Sequence, residues 1–396
     1  MIGISKLYCG ALEPGDVFRY GRRSGDLPSH LLQFSADKKP VVVWNMTRRC
    51  NLRCVHCYAS ATGAADPGEL TTAEARVVID DLAAFGVPVI LFSGGEPLTR
   101  DDLPDLARHA ADRGIRAVIS TNGTLITRAH AAAFREIGLS YVGVSLDGLE
   151  ATHDRFRGQR GAFAAALEGI RTCRDAGIKV GVRFTVHRGN VSEVPAIFDL
   201  LEAEQIGRCC FYHLVYAGRG SKLAAEDLSH AQTRRLLDLV MDRTRALFER
   251  GRPAEILTVD NHADGPYVYL RLLRENPARA REVLELLRMN GGNSSGTGIG
   301  CIGWDGAVHP DQFWRNVVLG NVRIRPFSAT WTDPSHALLA RLRNRKHHLH
   351  GRCASCRWLD VCNANFRARA EALTGDMWAP DPACYLTDEE IASKGG

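Results

Sequence analysis

No run in this sequence approaches the ~20 apolar residues that a membrane-spanning helix needs. Its opening, MIGISKLYCGALEPGDVFRYGRRSG, has no apolar stretch of signal-peptide length. The two absences read as a cytoplasmic chain with no membrane partner. Charge of one sign is also scarce: the formal net charge is +5, and basic residues are scattered except in RLRNRKHHLHGR at 341–352. Nothing marks a nucleic-acid surface. A fourth cysteine is missing beside the close trio in RRCNLRCVHCYA, residues 48–59. In a reducing compartment the 12 cysteines do not read as disulfides, and the clustered ones read as metal ligands or redox groups. Cys173, Cys209 and Cys210, each within an apolar or helical pattern, read as small core hydrophobes.

What is present suits a large domain with a smaller module attached: 396 residues at 45% hydrophobic content. From residue 41, short β-branched runs alternate with helical patterns. The runs VVVWNM, VPVILFS, IRAVIST, YVGVSL, IKVGVRFTV and CCFYHLVY predict a parallel sheet curling toward an incomplete (β/α)6 barrel, an α/β fold. After about residue 225 the pattern changes to long helices at 229–250 and 266–289, then glycine-rich NGGNSSGTGIG, then a cysteine-bearing tail. The glycine stretch reads as a flexible connection. The expected organisation is an N-terminal extension at 1–39, the barrel at 40–225, a helical connection at 226–295 and a tail domain at 296–396.

Catalytic groups of parallel barrels gather on loops at the carboxyl ends of the strands. Here those loops read TRRCNLRCVHCYA, SGGEPL, STNG, SLDG, HRGN and YAGRG. Any one of them is ordinary turn chemistry, but all fall at the same predicted rim. Three thiolates can hold three irons of a cubane 4Fe–4S cluster and leave the fourth iron open. A zinc site needs a fourth ligand, for which His56 stands available. In the tail, Cys353, Cys356, Cys362 and Cys384 supply four thiolates for one closed site, a zinc ribbon or a cluster.

The spacing of Cys50, Cys54 and Cys57 resembles the C-x3-C-x2-C signature of the radical S-adenosylmethionine (SAM) superfamily, and the resemblance runs from about residue 40 to 220. It implies a SAM-binding 4Fe–4S cluster on those cysteines, with Tyr58 packing on adenine. It further implies that Gly94, Gly95 and Glu96 meet the SAM amino group, that Thr121, Asn122, Ser145 and Asp147 surround the ribose and methionine, and that Arg157 takes the carboxylate. The tail resembles the SPASM/twitch extension, in which the four tail cysteines ligate an auxiliary 4Fe–4S cluster. Phe366 and Asp311 stand where that family carries cysteines for another cluster, so one auxiliary cluster is implied. Cys301 is then left over: a core residue, a thiol donating hydrogen at the active site, or a stray ligand.

The segments FYHLVYAGRG, TVDNHADGPY and WDGAVHPDQFWRNVVLGNV resemble the NirJ family of heme d1 biosynthesis. That resemblance implies an iron tetrapyrrole substrate, 12,18-didecarboxysiroheme, two of whose propionates are replaced by oxo groups, and a low-potential electron donor such as ferredoxin or flavodoxin. His213 and Arg219, at the end of the sixth expected strand, are candidate substrate residues. A core histidine and a solvated loop arginine are their plainer readings. Three other functions stand beside this one: a heme-pathway radical decarboxylase, a peptide-modifying maturase, and a non-enzymatic electron carrier.

Overall fold

The computed structural model describes residues 1–13, 16–20 and 39–392. Of the expected extension at 1–39, residues 14–15 and 21–38 lie outside the described residues. The strands are β1 (Ile2–Gly3), β2 (Val41–Asn45), β3 (Val89–Ser93), β4 (Arg116–Thr121), β5 (Tyr141–Ser145), β6 (Val180–Val186), β7 (Arg208–His213), β8 (Glu255–Val259), β9 (Ile299–Ile302), β10 (Ala307–His309) and β11 (Gly320–Asn321). They form one sheet in the order β1-β8-β7-β6-β5-β4-β3-β2-β9-β10-β11. From β9 through β2 to β8 every neighbour is parallel, while β1, β10 and β11 pair antiparallel at the two ends. The sheet is mixed and no hydrogen bonds close it into a ring.

The six expected strands are β2 to β7, separated by helices such as Thr72–Phe85 and Arg128–Ile137. Both helices begin where a threonine side chain caps the first turn: Thr71 accepts from the Glu74 amide and Thr127 from the His130 amide. Buried Val, Ile and Phe of β2 to β7 form the interior of the curled sheet, under helices whose apolar faces complete the core.

Beyond residue 225 the structure differs from expectation in three places. A seventh barrel strand, β8, follows the helix His230–Glu249. All five of its residues are buried, so it belongs to the sheet and not to a helical connection. The helix expected at 266–289 is two, Asp264–Glu275 and Pro277–Asn290. Pro277 has no amide to continue the first, and the Asn276 side chain accepts from the Arg279 amide at 3.1 Å to start the second. The glycine-rich stretch is no free linker. Asn293 and Ser295 are buried, and Arg345 donates to the Asn293 side chain at 2.5 Å and to the Ser295 carbonyl at 2.8 Å. The tail thus joins the barrel through β9, whose residues pair with β2 from Val41↔Ile299 to Trp44↔Ile302.

Candidate active site

The loop after β2 carries Cys50, Cys54 and Cys57, and the three pack together around buried Leu52 and Ala162. Each sulfur faces an N–H donor: Leu52 to Cys50 at 3.4 Å, Ala61 to Cys57 at 3.4 Å, and the Arg157 guanidinium to Cys54 at 3.5 Å. Burial, and then the Glu96 carboxyl and the neighbouring thiols, push the Cys50 thiol up to about 12. Three thiolates crowded together out of water need a cation among them, and donors aimed at sulfur suit cluster ligands. Among the described residues, no three or more His, Cys, Asp or Glu groups converge as a single metal ion requires. A cubane makes no such demand, since each thiolate holds its own corner. The residues fit the cluster. His56, the alternative zinc ligand, stacks on Phe156 at 4.2 Å and faces Asp147 at 3.6 Å, and burial lowers its pKa to about 3.

The loop after β3 lies directly on the cysteine loop. The Gly95 amide donates to Thr47 and the Glu96 amide to Arg49, both at 2.8 Å. A Cβ on Gly95 would sit 2.2 Å from the Arg49 carbonyl, so only glycine allows this approach. Gly94, Gly95, Thr121, Asn122, Ser145 and Arg157 line one cavity with the three cysteines and Tyr58. Two expected SAM residues do not line it. Glu96 is fully buried behind the wall, accepting from the Thr121 hydroxyl and the Asn122 amide at 2.7 Å each and from the Leu98 amide at 3.1 Å. Burial pushes its carboxyl up to about 7 against the pull of those donors. Asp147, also fully buried, pairs with Arg157 and accepts from the Thr185 amide at 2.7 Å. Burial opposes its charge, yet Arg157 holds its pKa below the ordinary value. Both carboxylates fasten the loops that bear the lining residues.

The remaining expectations divide. His213 lines the cavity, and its Nε2 lies 2.9 Å from Asp264, which also accepts from the Tyr385 hydroxyl at 2.7 Å. Arg219 lines it too, with Nε and Nη1 donating to the carbonyls of Cys54 at 2.8 Å and Ala61 at 2.7 Å, while its buried Nη2 has no partner. Two of its three nitrogens thus brace the cysteine loop, and the third is open to a further acceptor. Cys301 is fully buried on β9 and does not line the cavity. Its sulfur accepts from the Asn45 amide group at 3.5 Å, and Asn45 in turn accepts from the Tyr58 hydroxyl at 2.8 Å.

Sequence reasoning missed Arg183, Asp260, Gln312 and Phe313, all in the cavity wall. Arg183 left one signal, a lone charge inside the apolar run VGVRFTV. A second cavity of about 700 Å³ abuts the first through Tyr58, Val215 and Phe313. Trp304 and Trp314 line it with Arg48 and Arg315, and the Arg315 guanidinium lies 3.6 Å from the centre of the Trp304 ring.

In the tail, burial and then the thiols of Cys384, Cys353 and Cys356 push the Cys362 thiol well up, which puts all four within electrostatic reach of one another. Such a set is stable only with its protons kept or with metal in their place.

A curled parallel sheet with three clustered thiols on its first loop and a glycine-lined cavity beside them defines an iron–sulfur enzyme that binds a small cofactor at the barrel rim. The chain belongs to the radical SAM superfamily, whose profile matches residues 44–201. It is 66% identical over 394 residues, 99% of each chain, to the Fe-coproporphyrin III synthase of Methanosarcina barkeri. It is 47% identical to the pre-heme d1 synthase of Dinoroseobacter shibae, covering 90% of this chain and 88% of that one. The fold is shared with Streptococcus suis SuiB bound to S-adenosylmethionine, at a TM-score of 0.70, 17% identity, and coverage of 96% and 89%. The chain is a radical SAM enzyme and carries that family's 4Fe–4S cluster and SAM. No described helix is long and apolar enough to cross a membrane.

Proposed function

We propose that the enzyme acts on the acidic side chains of an iron tetrapyrrole and yields iron coproporphyrin III. The observation that carries this reading is the 66% identity to a Fe-coproporphyrin III synthase along 99% of both chains. The cavities support it in chemistry. The larger one is within the size range of ligand pockets and is lined by the rings of Tyr58, Tyr216 and Phe313 and by the guanidinium groups of Arg48 and Arg315, which suit an aromatic macrocycle with carboxylate arms. Cys50, Cys54 and Cys57 would hold the cluster, with Tyr58, Gly94, Gly95, Thr121, Asn122 and Ser145 around SAM. Together the two groups supply reductive SAM cleavage and hydrogen abstraction. The protein's own part is to orient the ring in the larger cavity and present one arm to the smaller, while Phe313 and Val215 at their junction keep water away. Cys353, Cys356, Cys362 and Cys384 would hold one auxiliary 4Fe–4S cluster, reduced by a ferredoxin- or flavodoxin-type donor in the cytoplasm.

A second reading, replacement of two propionates by oxo groups toward heme d1, is favoured by the 47% identity to a pre-heme d1 synthase. Anaerobic incubation of reconstituted enzyme with SAM, reductant and 12,18-didecarboxysiroheme separates the two by mass spectrometry. Iron coproporphyrin III is the expected product. A ring that has gained oxygen in place of propionates supports the second reading, and an unchanged ring counts against both.

A further inference from the structure

The cysteine loop, the glycine loop and Arg157 account for one part of the cavity wall. Arg183, Tyr212 and Asp260 line another part and have no place in that account. Arg183 projects from β6 with neutral partners only: Nε and Nη2 donate to the Tyr212 hydroxyl at 3.0 and 2.5 Å, and Nη1 donates to the Ser120 hydroxyl. Among the described residues it forms no ion pair. A guanidinium withdrawn from water lacks, with hydroxyls alone, the counter-charge that offsets its desolvation.

Asp260 presents the complementary gap. It follows β8 with φ of 67°, a left-handed conformation that an aspartate holds at a cost and that recurs at functional sites. It is 7% exposed, and its Oδ2 has no hydrogen-bond partner. Val259 pairs in register with Tyr212, so Asp260 is the next residue beyond that rung, close enough for its charge to act on the Tyr212 hydroxyl. A cation without an anion and a carboxyl without a donor therefore flank Tyr212 in one wall. A ligand carboxylate answers both, one oxygen receiving the Arg183 N–H groups and the other receiving a hydrogen bond from Asp260.

We propose that Arg183 and Asp260 form the subsite that seats one carboxylate arm of the substrate. This rests on the tetrapyrrole reading above, and deepens it by naming which residues meet the acid group. To face a carboxylate, Asp260 must keep its proton and act as the donor. Burial favours that state and pushes its carboxyl up to about 7. The groups facing it are Arg369 from the helix Arg367–Thr374, the amino terminus beside β1, Asp311 after β10 and His213 at the end of β7; Asp311 adds to the rise and the other three oppose it. The seat should hold an arm below about pH 7 and release it as Asp260 ionises.

Anaerobic Soret titration of the reconstituted full chain with the substrate 12,18-didecarboxysiroheme, without SAM, tests this with no turnover needed. For the unsubstituted enzyme the dissociation constant should rise toward tenfold per pH unit above about 7, as linkage to one proton requires. Asp260→Asn keeps a donor of the same shape and should flatten that profile. Arg183→Gln should weaken binding roughly ten- to a hundredfold at every pH and leave the slope, with Arg183→Lys recovering part. Iron etioporphyrin, which has the ring and no acid arms, is the second probe. Its affinity should be indifferent to pH and to all three substitutions, and a substitution that weakens both macrocycles alike overturns the proposal. A slope that survives Asp260→Asn, or an affinity unmoved by Arg183→Gln, also overturns the subsite while leaving the tetrapyrrole reading intact. If the unsubstituted enzyme binds neither macrocycle, the tetrapyrrole reading fails and the subsite with it.

Discussion

The Arg219 guanidinium donates to the main-chain carbonyl of Cys54 at 2.8 Å, so an arginine from the loop after β7 fastens the loop that must hold iron. The contact is reinforced from the backbone, where the Arg219 amide donates to the Cys57 carbonyl at 3.0 Å. Gly218 makes the approach possible. It sits at φ of 56°, and a Cβ there would lie 2.3 Å from the Tyr58 carbonyl.

Arg219→Ala should therefore loosen the cysteine loop. Charge-assisted hydrogen bonds of this kind contribute on the order of 1.5–3 kcal/mol. Iron should leave the barrel cluster faster under chelator challenge than in the unsubstituted enzyme, and 5′-deoxyadenosine formation should fall with it. Arg219→Lys should restore only part, because one ammonium cannot reach both carbonyls in the plane of the fork. Unchanged iron retention in the alanine variant would contradict the bracing role.

The two cysteine sets should be separable. Cys54→Ala should abolish 5′-deoxyadenosine formation and leave about four irons per chain in the tail, by the iron content of a cubane. Cys384→Ala should leave about four irons on Cys50, Cys54 and Cys57 and retain reductive SAM cleavage. Reconstituted enzyme should carry roughly eight irons in all. Metal analysis finding about four irons and one zinc would reassign the tail as a zinc site.

The fold was legible where sequence periodicity is strong. The six runs that became β2 to β7 are apolar, β-branched and evenly spaced by amphipathic helices; β2 to β6 each lie within one of them, and β7 begins one residue before its run. β8 escaped because EILTV is a short run between two helices, and its membership of the sheet depends on pairing with β7, a contact between distant segments. The cysteines were legible because ligand spacing is a local property. The roles of Glu96, Asp147 and Arg219 were not. All three occupy rim loops, and only the tertiary structure shows that Glu96 and Asp147 turn back into the loops framing the cavity while Arg219 lines the cavity and braces the cysteine loop at once.

Glu96 offers a test of that distinction. Its carboxylate serves three donors, from Leu98, Thr121 and Asn122. In Glu96→Gln one oxygen becomes an NH2 group facing N–H or O–H donors, and a buried donor left unsatisfied costs about 1–3 kcal/mol. Denaturant unfolding should show that loss. It should also show a changed pH dependence. Burial raises the folded Glu96 pKa to about 7 from the ordinary 4.5, so its contribution is fully present below pH 4.5 and is lost as pH rises through 7. The glutamine variant should lack this decline between pH 4.5 and 7. An unaltered stability and pH profile would show that these hydrogen bonds do not hold the two loops together.

Asp381 and Arg369 form an ion pair at 2.8 Å with both side chains fully buried, and the pair ties the tail to the barrel. Arg369 also donates to the Leu214 carbonyl, just beyond β7, at 3.1 Å, while Asp381 accepts from the Phe366 and Ala383 amides, both at 3.0 Å. The second of those amides adjoins Cys384, so the pair positions a tail ligand as well as the interface. Asp381→Ala leaves a buried guanidinium without an anion and should destabilise the enzyme by about 3–5 kcal/mol. Burial works against the Asp381 carboxylate, but Arg369 holds its pKa below the ordinary 3.8. A depressed carboxyl contributes stability above that pH and loses it as pH falls through the folded value. The unsubstituted enzyme should therefore lose stability on acidification below about pH 4, and Asp381→Asn should blunt that loss while keeping an acceptor for one of the two amides. Chelator challenge of Asp381→Asn should strip the tail iron faster than the barrel iron. Equal rates for the two sets would show that Asp381 holds the domains together without positioning Cys384.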